Sequence, residues 1–181
     1  MDSLQGQILV ASPLLEDPNF QRSVSLMVEH DAGQGAVALV LNRPTPTSLR
    51  QAWLRVSELP CRHEEPLHLG GPCEGPLMVL HTVPELAQVE VLPGLYFSTD
   101  GEQVEQLVSE GAGPMRFFTG YAGWSPGQLE AELATGSWIP LPAEREEIFA
   151  GTTTQWTRLY DRAMNEPYLW PRIVPPNARV N

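Results

Sequence analysis

Lysine is absent from this chain, and all 11 basic residues are arginine. The absence removes a P-loop lysine, a Schiff base to a pyridoxal cofactor and a lysine general base. A GC-rich genome accounts for it without functional pressure, and the exclusions hold either way. Positive charge is scarce as a whole: against 22 acidic residues the net charge is -11. A surface of that sign repels a phosphate backbone, because nucleic-acid affinity depends on Lys and Arg neutralising phosphates. Direct binding of DNA or RNA is therefore not expected. Cys61 and Cys73 are too few for a disulfide framework and form no CxxC pair, so they read as free thiols of a reducing compartment. No apolar run approaches the ~18 residues of a membrane span. The N-terminal MDSLQGQILVASPLLEDPNF has neither a basic n-region nor a long apolar stretch. The expectation is a soluble cytoplasmic protein without membrane contact.

What is present is enough for one core. With 181 residues, 42% of them hydrophobic, the chain reads as one domain over 1–181. Short apolar segments bounded by Gly or Pro predict strands at 6–11, 23–28, 36–42, 67–71, 76–83, 89–99 and 115–122, with SWIP as another. AVALVLN is the most continuous of these and is the expected centre of the sheet. Leu49, Ala52, Trp53, Val56 and Leu59 recur at helical spacing between a Ser48 cap and Pro60. Asp100 with Gln103 opens a second helix. Ser125, Pro126 and Gln128 carry the signs of an N-cap, a first helical position and a capping-box partner for a third helix ending at Gly136. A last helix is expected from Thr152, with Gln155 as box partner, burying Trp156, Leu159, Tyr160 and Ala163. The proline-rich stretch 166–181, with Tyr168, Leu169 and Trp170, reads as an extended tail. Hairpin-spaced strands with few short helices favour α+β over the doubly wound α/β alternative.

Chemistry is harder to place. Cys61, His63, His68, Cys73 and His81 supply zinc-type ligands, but their spacings match no common tetrahedral site, and no metal or other cofactor is expected. Cys73 with His81 would be a nucleophile and base, yet no third orienting group is identifiable. Serine chemistry lacks GxSxG, and in GWSPG a capping role accounts for the serine. LGGPCEG lacks the dinucleotide spacing. Glu130, Glu132, Glu144, Glu146 and Glu147 read as solvated faces. LNRP at 41–44 is more suggestive: Arg43 at the end of a buried strand is either clamped by carbonyls or an anchor for a carboxylate or phosphate.

Five stretches in this order, GQILVASPLLEDPNFQRSVSLMVEH, ALVLNRP, LHLGGPCEGPLMVLHT, GYAGWSPGQLEAEL and SWIPLPAEREEIF, followed by Trp156, resemble the bacterial AlgH/YqgE family, UPF0301. The family usually has valine where Cys73 stands and commonly glycine where Ser125 stands, so the thiol is not a family requirement. The resemblance implies an α+β fold with a mixed, mostly antiparallel, bifurcated sheet curled into a pseudo-barrel under a few short helices. It brings no agreed catalytic set, substrate or cofactor, and the family name comes from an association with transcriptional regulation of alginate production. The resulting expectation is a non-enzymatic regulator-type protein that binds a protein partner or small ligand. Its candidate surface comprises Asn42, Arg43, Gly71, His81, Tyr121, Trp124, Gln128 and Glu132. The alternative is a hydrolase or transferase with His81 as base and Arg43 as anion anchor.

Overall fold

A computed structural model describes residues 3–165. Its strands are β1 (Gln7–Ala11), β2 (Val24–Asp31), β3 (Gly35–Val40), β4 (Pro44–Ser48), β5 (Pro66–Leu69), β6 (Met78–His81), β7 (Val89–Leu92), β8 (Leu95–Ser98), β9 (Met115–Thr119), β10 (Ala122–Trp124) and β11 (Trp138–Pro142). The helices are α1 (Leu49–Trp53), α2 (Gly101–Ser109), α3 (Gln128–Ala134), α4 (Arg145–Ile148) and α5 (Gln155–Asn165). The strands form two open sheets, β10-β3-β2-β1-β11 and β4-β5-β9-β6-β8-β7. Only the β5–β9 pair is parallel. The architecture is α+β and mostly antiparallel, and neither sheet closes into a barrel.

The strands of the first sheet are apolar on both faces because both are covered. Ile8, Val10, Leu26 and Leu39 face Leu80, Phe97 and Phe118 of the second sheet across a shared core, which α4 and α5 close with Ile148, Leu159 and Ala163. On the opposite face, small residues at Ala11, Ala36, Ala38 and Ala122 leave room for Trp124, Trp138 and Leu129 of α3. The outer face of the second sheet packs Val79 and Phe117 under Leu49 and Trp53 of α1 and Leu107 of α2.

The two sheets are joined along a seam. β9 belongs to the second sheet and β10, two residues later, to the first, so the chain crosses at Gly120–Tyr121. Beside this crossing runs Gly70–Cys73: Val40 N–H donates to the Gly70 carbonyl and Gly70 N–H to Thr119, while Cys73 and Tyr121 exchange both backbone bonds at 2.9 and 3.0 Å. The backbones approach so closely that a Cβ on Gly71 would lie 2.2 Å from the Tyr121 carbonyl carbon, and its φ is +154°. Only glycine fits there. This is the point of bifurcation.

Several expectations are corrected. The central strand of the first sheet is β2, with β3 beside it. The predicted strand 115–122 is two strands in two sheets, 89–99 is a hairpin folded at Pro93–Gly94, and the TPT linker is part of β4. Ser48 does cap α1, with Gln51 completing the box, but the helix stops at Trp53 and leaves Val56 79% exposed. Trp53 Nε1 donates to the Leu59 carbonyl at 3.0 Å, so residues 54–59 fold back over the indole instead of continuing the helix. Ser125 does not cap α3 with its side chain. Its carbonyl accepts from Gln128 N–H, Gly127 has φ 76°, and Pro126 precedes it, which is a type II turn. Gln128 Oε1 does reach back to Ser125 N–H at 3.1 Å. The last helix begins at Gln155. The predicted tail 166–181 lies outside the described residues.

Candidate functional site

Where β3 leaves its sheet, Asn42 is consumed by the fold. Its Oδ1 accepts from Val24 N–H at 2.9 Å and its Nδ2 donates to the Arg22 carbonyl at 2.9 Å. Arg22 has φ 53° and is the one non-glycine residue with positive φ among the described residues, a conformation costing about 1–2 kcal/mol. Its guanidinium lies 5.4 Å from the centre of the Trp156 ring, a cation–π contact. Arg43 donates from Nη2 to the Gln21 carbonyl at 3.0 Å, while its Nε is shielded and without a partner. Arg50, Arg145, Arg158 and Arg162 each pair with a carboxylate. Among the described residues Arg22 and Arg43 pair with none. They line a groove of about 360 Å³ together with Thr152 and Thr153 and with Trp156 and Thr157 of α5.

Arg116 of β9 stands behind this groove. It is 8% exposed and donates from Nη1 to the Leu41 carbonyl at 3.1 Å and from Nη2 to Ala150 at 2.8 Å. Those acceptors immediately precede the Asn42–Arg43 and Gly151–Thr152 walls. Burial pushes the Arg116 pKa down to about 10, which leaves the group charged at neutral pH.

A strip of shallow cavities continues from Arg43 along the seam. Arg43 shares a small one, about 100 Å³, with Gly71 and Pro72. Gly71 and Cys73 share the next with Gly120. Cys73, Tyr121 and Trp124 then line a groove of about 680 Å³ beside the start of β3. The Tyr121 ring lies against Gly75 and Gly123, where added Cβ atoms would meet it at 3.2 and 3.3 Å.

At the far end the tryptophan is core: Trp124 is 6% exposed and packs on Trp138 and Phe20. Glu132 Oε2 accepts from the indole N–H groups of Trp124 at 2.9 Å and Trp138 at 2.7 Å, and its Oε1 accepts from Gln128 Nε2 at 3.0 Å. This glutamate is therefore not a solvated residue but the acceptor that lets two indoles be buried.

His81 departs from the strip. It is fully buried, its Nδ1 accepts from Val83 N–H at 3.2 Å and its Nε2 donates to Ser98 Oγ at 3.0 Å. Ser98 in turn donates to the Leu86 carbonyl. Burial lowers the His81 pKa to about 4, so it is neutral with both nitrogens engaged. His81 pairs with Met115 on β9, whereas Pro44, next to Arg43, aligns through His68 with Phe118. That places the two three strands and three residues apart, roughly 17 Å. His81 and Arg43 do not meet in one cleft. The other ligand-type side chains are also dispersed: His63 bonds the Leu107 carbonyl, and His68 packs on Phe118 with its pKa lowered to about 4 by burial and then by Arg116. Among the described residues no group of three or more His, Cys, Asp or Glu could hold a metal ion.

Sequence reading put Asn42, Arg43, Gly71, His81, Tyr121, Trp124, Gln128 and Glu132 on one surface; the structure keeps Asn42, Arg43, Gly71, Tyr121 and Trp124 along the seam cavities, with Gln128 and Glu132 bonded behind Trp124, and takes His81 away from them. The sequence reading missed Arg22, Arg116, Thr152 and Thr153. A signal for them exists: residues 18–28, 32–57, 111–129 and 148–160 contain no Asp or Glu, and these acid-free stretches supply every wall of the Arg22–Arg43 groove.

No helix among the described residues is long and apolar enough to cross a membrane. Residues 8–168 match the AlgH-like family model. A UPF0301 protein of Chlorobaculum tepidum is 41% identical over 165 residues, 88% of this chain and 84% of that protein. One from Streptomyces avermitilis is 34% identical over 178 residues, 92% and 90% of the two chains. The solution structure of the AlgH protein from Pseudomonas aeruginosa superposes with a TM-score of 0.75 at 28% identity, covering 97% of this chain and 96% of that one. A crystal structure of a protein from Corynebacterium diphtheriae gives 0.71 at 25% identity, covering 96% and 93%. This chain belongs to the AlgH-like family, UPF0301.

Proposed function

We propose that the protein is a non-enzymatic, regulator-type binding protein of the cytoplasm, working as one unit over 1–181 and contacting a protein partner or small ligand through the seam strip. The observation that supports this reading is the division of the candidate residues. Arg43, Gly71, Tyr121 and Trp124 line one run of neighbouring cavities, Asn42 lines the groove adjoining it and Glu132 with Gln128 supports Trp124 from behind, while the histidine that a hydrolase or transferase needs is sealed in the second sheet with both nitrogens engaged. The regulatory part of the reading rests on the family resemblance.

The test is affinity capture from host extract with the wild type, Arg43→Ala and Tyr121→Ala, each shown to be folded by near-ultraviolet circular dichroism. Arg43 and Tyr121 present side chains on the strip, and Tyr121 serves the crossing through its backbone, which the alanine variant keeps, so their loss should weaken capture while preserving the fold. If both folded variants retain the same bound molecules as the wild type, the strip is not the binding surface.

A further inference from the structure

We propose that the groove between Arg22, Arg43 and the Thr152–Thr153 turn binds the phosphate group of a small phosphorylated molecule. The proposal rests on reading the seam strip as a binding surface and gives its arginine end a ligand class.

Charge is the first argument. In a chain of net charge -11 with 22 carboxylates, Arg50, Arg145, Arg158 and Arg162 have acidic partners. Arg22, Arg43 and Arg116 have none among the described residues, as have Arg55 and Arg62 away from the groove, but only these three are held at or behind it by carbonyls or a tryptophan face. Carbonyl oxygens orient a guanidinium without cancelling its charge. The groove is thus a local positive field on an acidic molecule, backed by a buried cation that solvent screens little.

Preorganisation is the second. Asn42 ties the backbone of Arg22 in its left-handed conformation, and the Gln21 carbonyl fixes Arg43. Trp156 beneath Arg22 is itself held, stacked on Tyr160 at 5.2 Å and donating to the Ala11 carbonyl at 2.9 Å. Two guanidiniums held apart before binding spare the ligand the entropy of ordering them.

The donor set decides the ligand. The hydroxyls of Thr152 and Thr153 have no protein partner among the described residues, and both residues line the groove together with the two arginines. A phosphate presents three acceptor oxygens in different directions and can take donors from arginine and threonine together, whereas a planar carboxylate is satisfied by one guanidinium fork. The volume, about 360 Å³, lies within the roughly 300–1,000 Å³ of small-molecule sites. A nucleic-acid strand would have to leave the groove across acidic surface.

The full chain would be titrated with inorganic phosphate and with glycerol phosphate while ¹H–¹⁵N spectra are recorded, against acetate and chloride at matched ionic strength. Saturable shifts at the Thr152 and Thr153 amides and the Trp156 indole N–H with both phosphates, but not with chloride, are expected. Arg22→Asn keeps a residue that tolerates the left-handed backbone, and Arg43→Lys keeps the charge without the fork. Each should weaken phosphate roughly tenfold or more. Equal shifts with chloride, acetate binding as tight as phosphate, or phosphate binding unaltered in both variants would each overturn the site. Phosphate binding with unchanged capture by Arg43→Ala would uphold the site and remove the strip as partner surface. Absence of phosphate binding with capture still lost would overturn the site alone.

Discussion

Two corners of this molecule solve opposite electrostatic problems. At one end of the seam a single carboxylate, Glu132, is given three N–H donors, two from buried indoles. At the other end three guanidiniums are given carbonyls and an aromatic face but no carboxylate among the described residues. The first arrangement is saturated, and its charge is spent on holding α3 and two tryptophans to the first sheet. The second leaves its charge uncancelled. A polar group matched by the fold is explained by the fold, whereas a cation that the fold orients without neutralising still lacks a counter-charge. The corners lie on one strip, yet only the arginine corner retains unsatisfied binding capacity.

The comparison depends on the seam between them, so the largest effect is expected there. Gly71→Ala would drive a Cβ to 2.2 Å from the Tyr121 carbonyl carbon, against backbone that cannot yield. A loss of about 5 kcal/mol or more is expected, read as absence of a cooperative thermal transition. If Gly71→Ala folds with normal stability, the crossing is looser than the geometry requires and the corners are not rigidly related.

Glu132→Ala is next. It strands the indole N–H groups of Trp124 and Trp138, which are 6% and 1% exposed. At about 1–3 kcal/mol for each unsatisfied buried donor, the loss is about 4 kcal/mol, a fall in Tm of roughly 8–16 °C at this size. Glu132→Gln keeps an oxygen acceptor and should lose less than half of that. An Ala variant as stable as the wild type would place Glu132 with the arginines, as a group held ready for a partner.

Acid tests the other corner, because His68 lies in the field of Arg116. Burial and then that charge hold His68 near a pKa of 4, and burial alone does the same for His81. Both values are depressed below the ordinary 6.5, so the unfolded chain binds the extra protons first. Stability is complete above about pH 6.5 and falls as pH drops toward 4, by about 3 kcal/mol for each imidazole. His68→Gln and His81→Gln should each flatten that slope, measured as Tm between pH 7 and pH 4. Added salt should flatten the slope of the wild type less than His68→Gln does, because the Arg116 charge is buried.

Legibility in the sequence followed how local each cause was. Strands came through because apolar runs are local, and Ser48 and Asp100 came through because a cap is decided within four residues. The split of 115–122 between two sheets did not, since it is imposed by Gly70–Cys73 crossing from elsewhere. The sealing of His81 by Ser98 and Val83 was equally invisible. Arg43 could be singled out from its strand-end position. Arg22 and Arg116 were overlooked because nothing near them in sequence marks them, while the acid-free stretches that converge around them mean something only once folded.

The smallest effect separates a cap from a turn at WSPGQ. A Ser125 hydroxyl capping α3 would be worth ~1 kcal/mol. Here the hydroxyl is exposed and bonds nothing among the described residues, while the Ser125 N–H and C=O close the turn with Gln128. Ser125→Ala should therefore change stability by less than about 0.5 kcal/mol. Gly127→Ala meets no atom within 4 Å but must hold φ 76°, so it should cost about 1 kcal/mol from backbone conformation alone. Gln128→Ala removes the reach back to Ser125 and also one of the three donors on Glu132, and should fall between them and Glu132→Ala. Thermal melts of the three variants fix the order Ser125, Gly127, Gln128. If Ser125→Ala instead costs more than Gly127→Ala, the corner is held by its serine, and the saturation attributed to Glu132 would have to be shared with a cap.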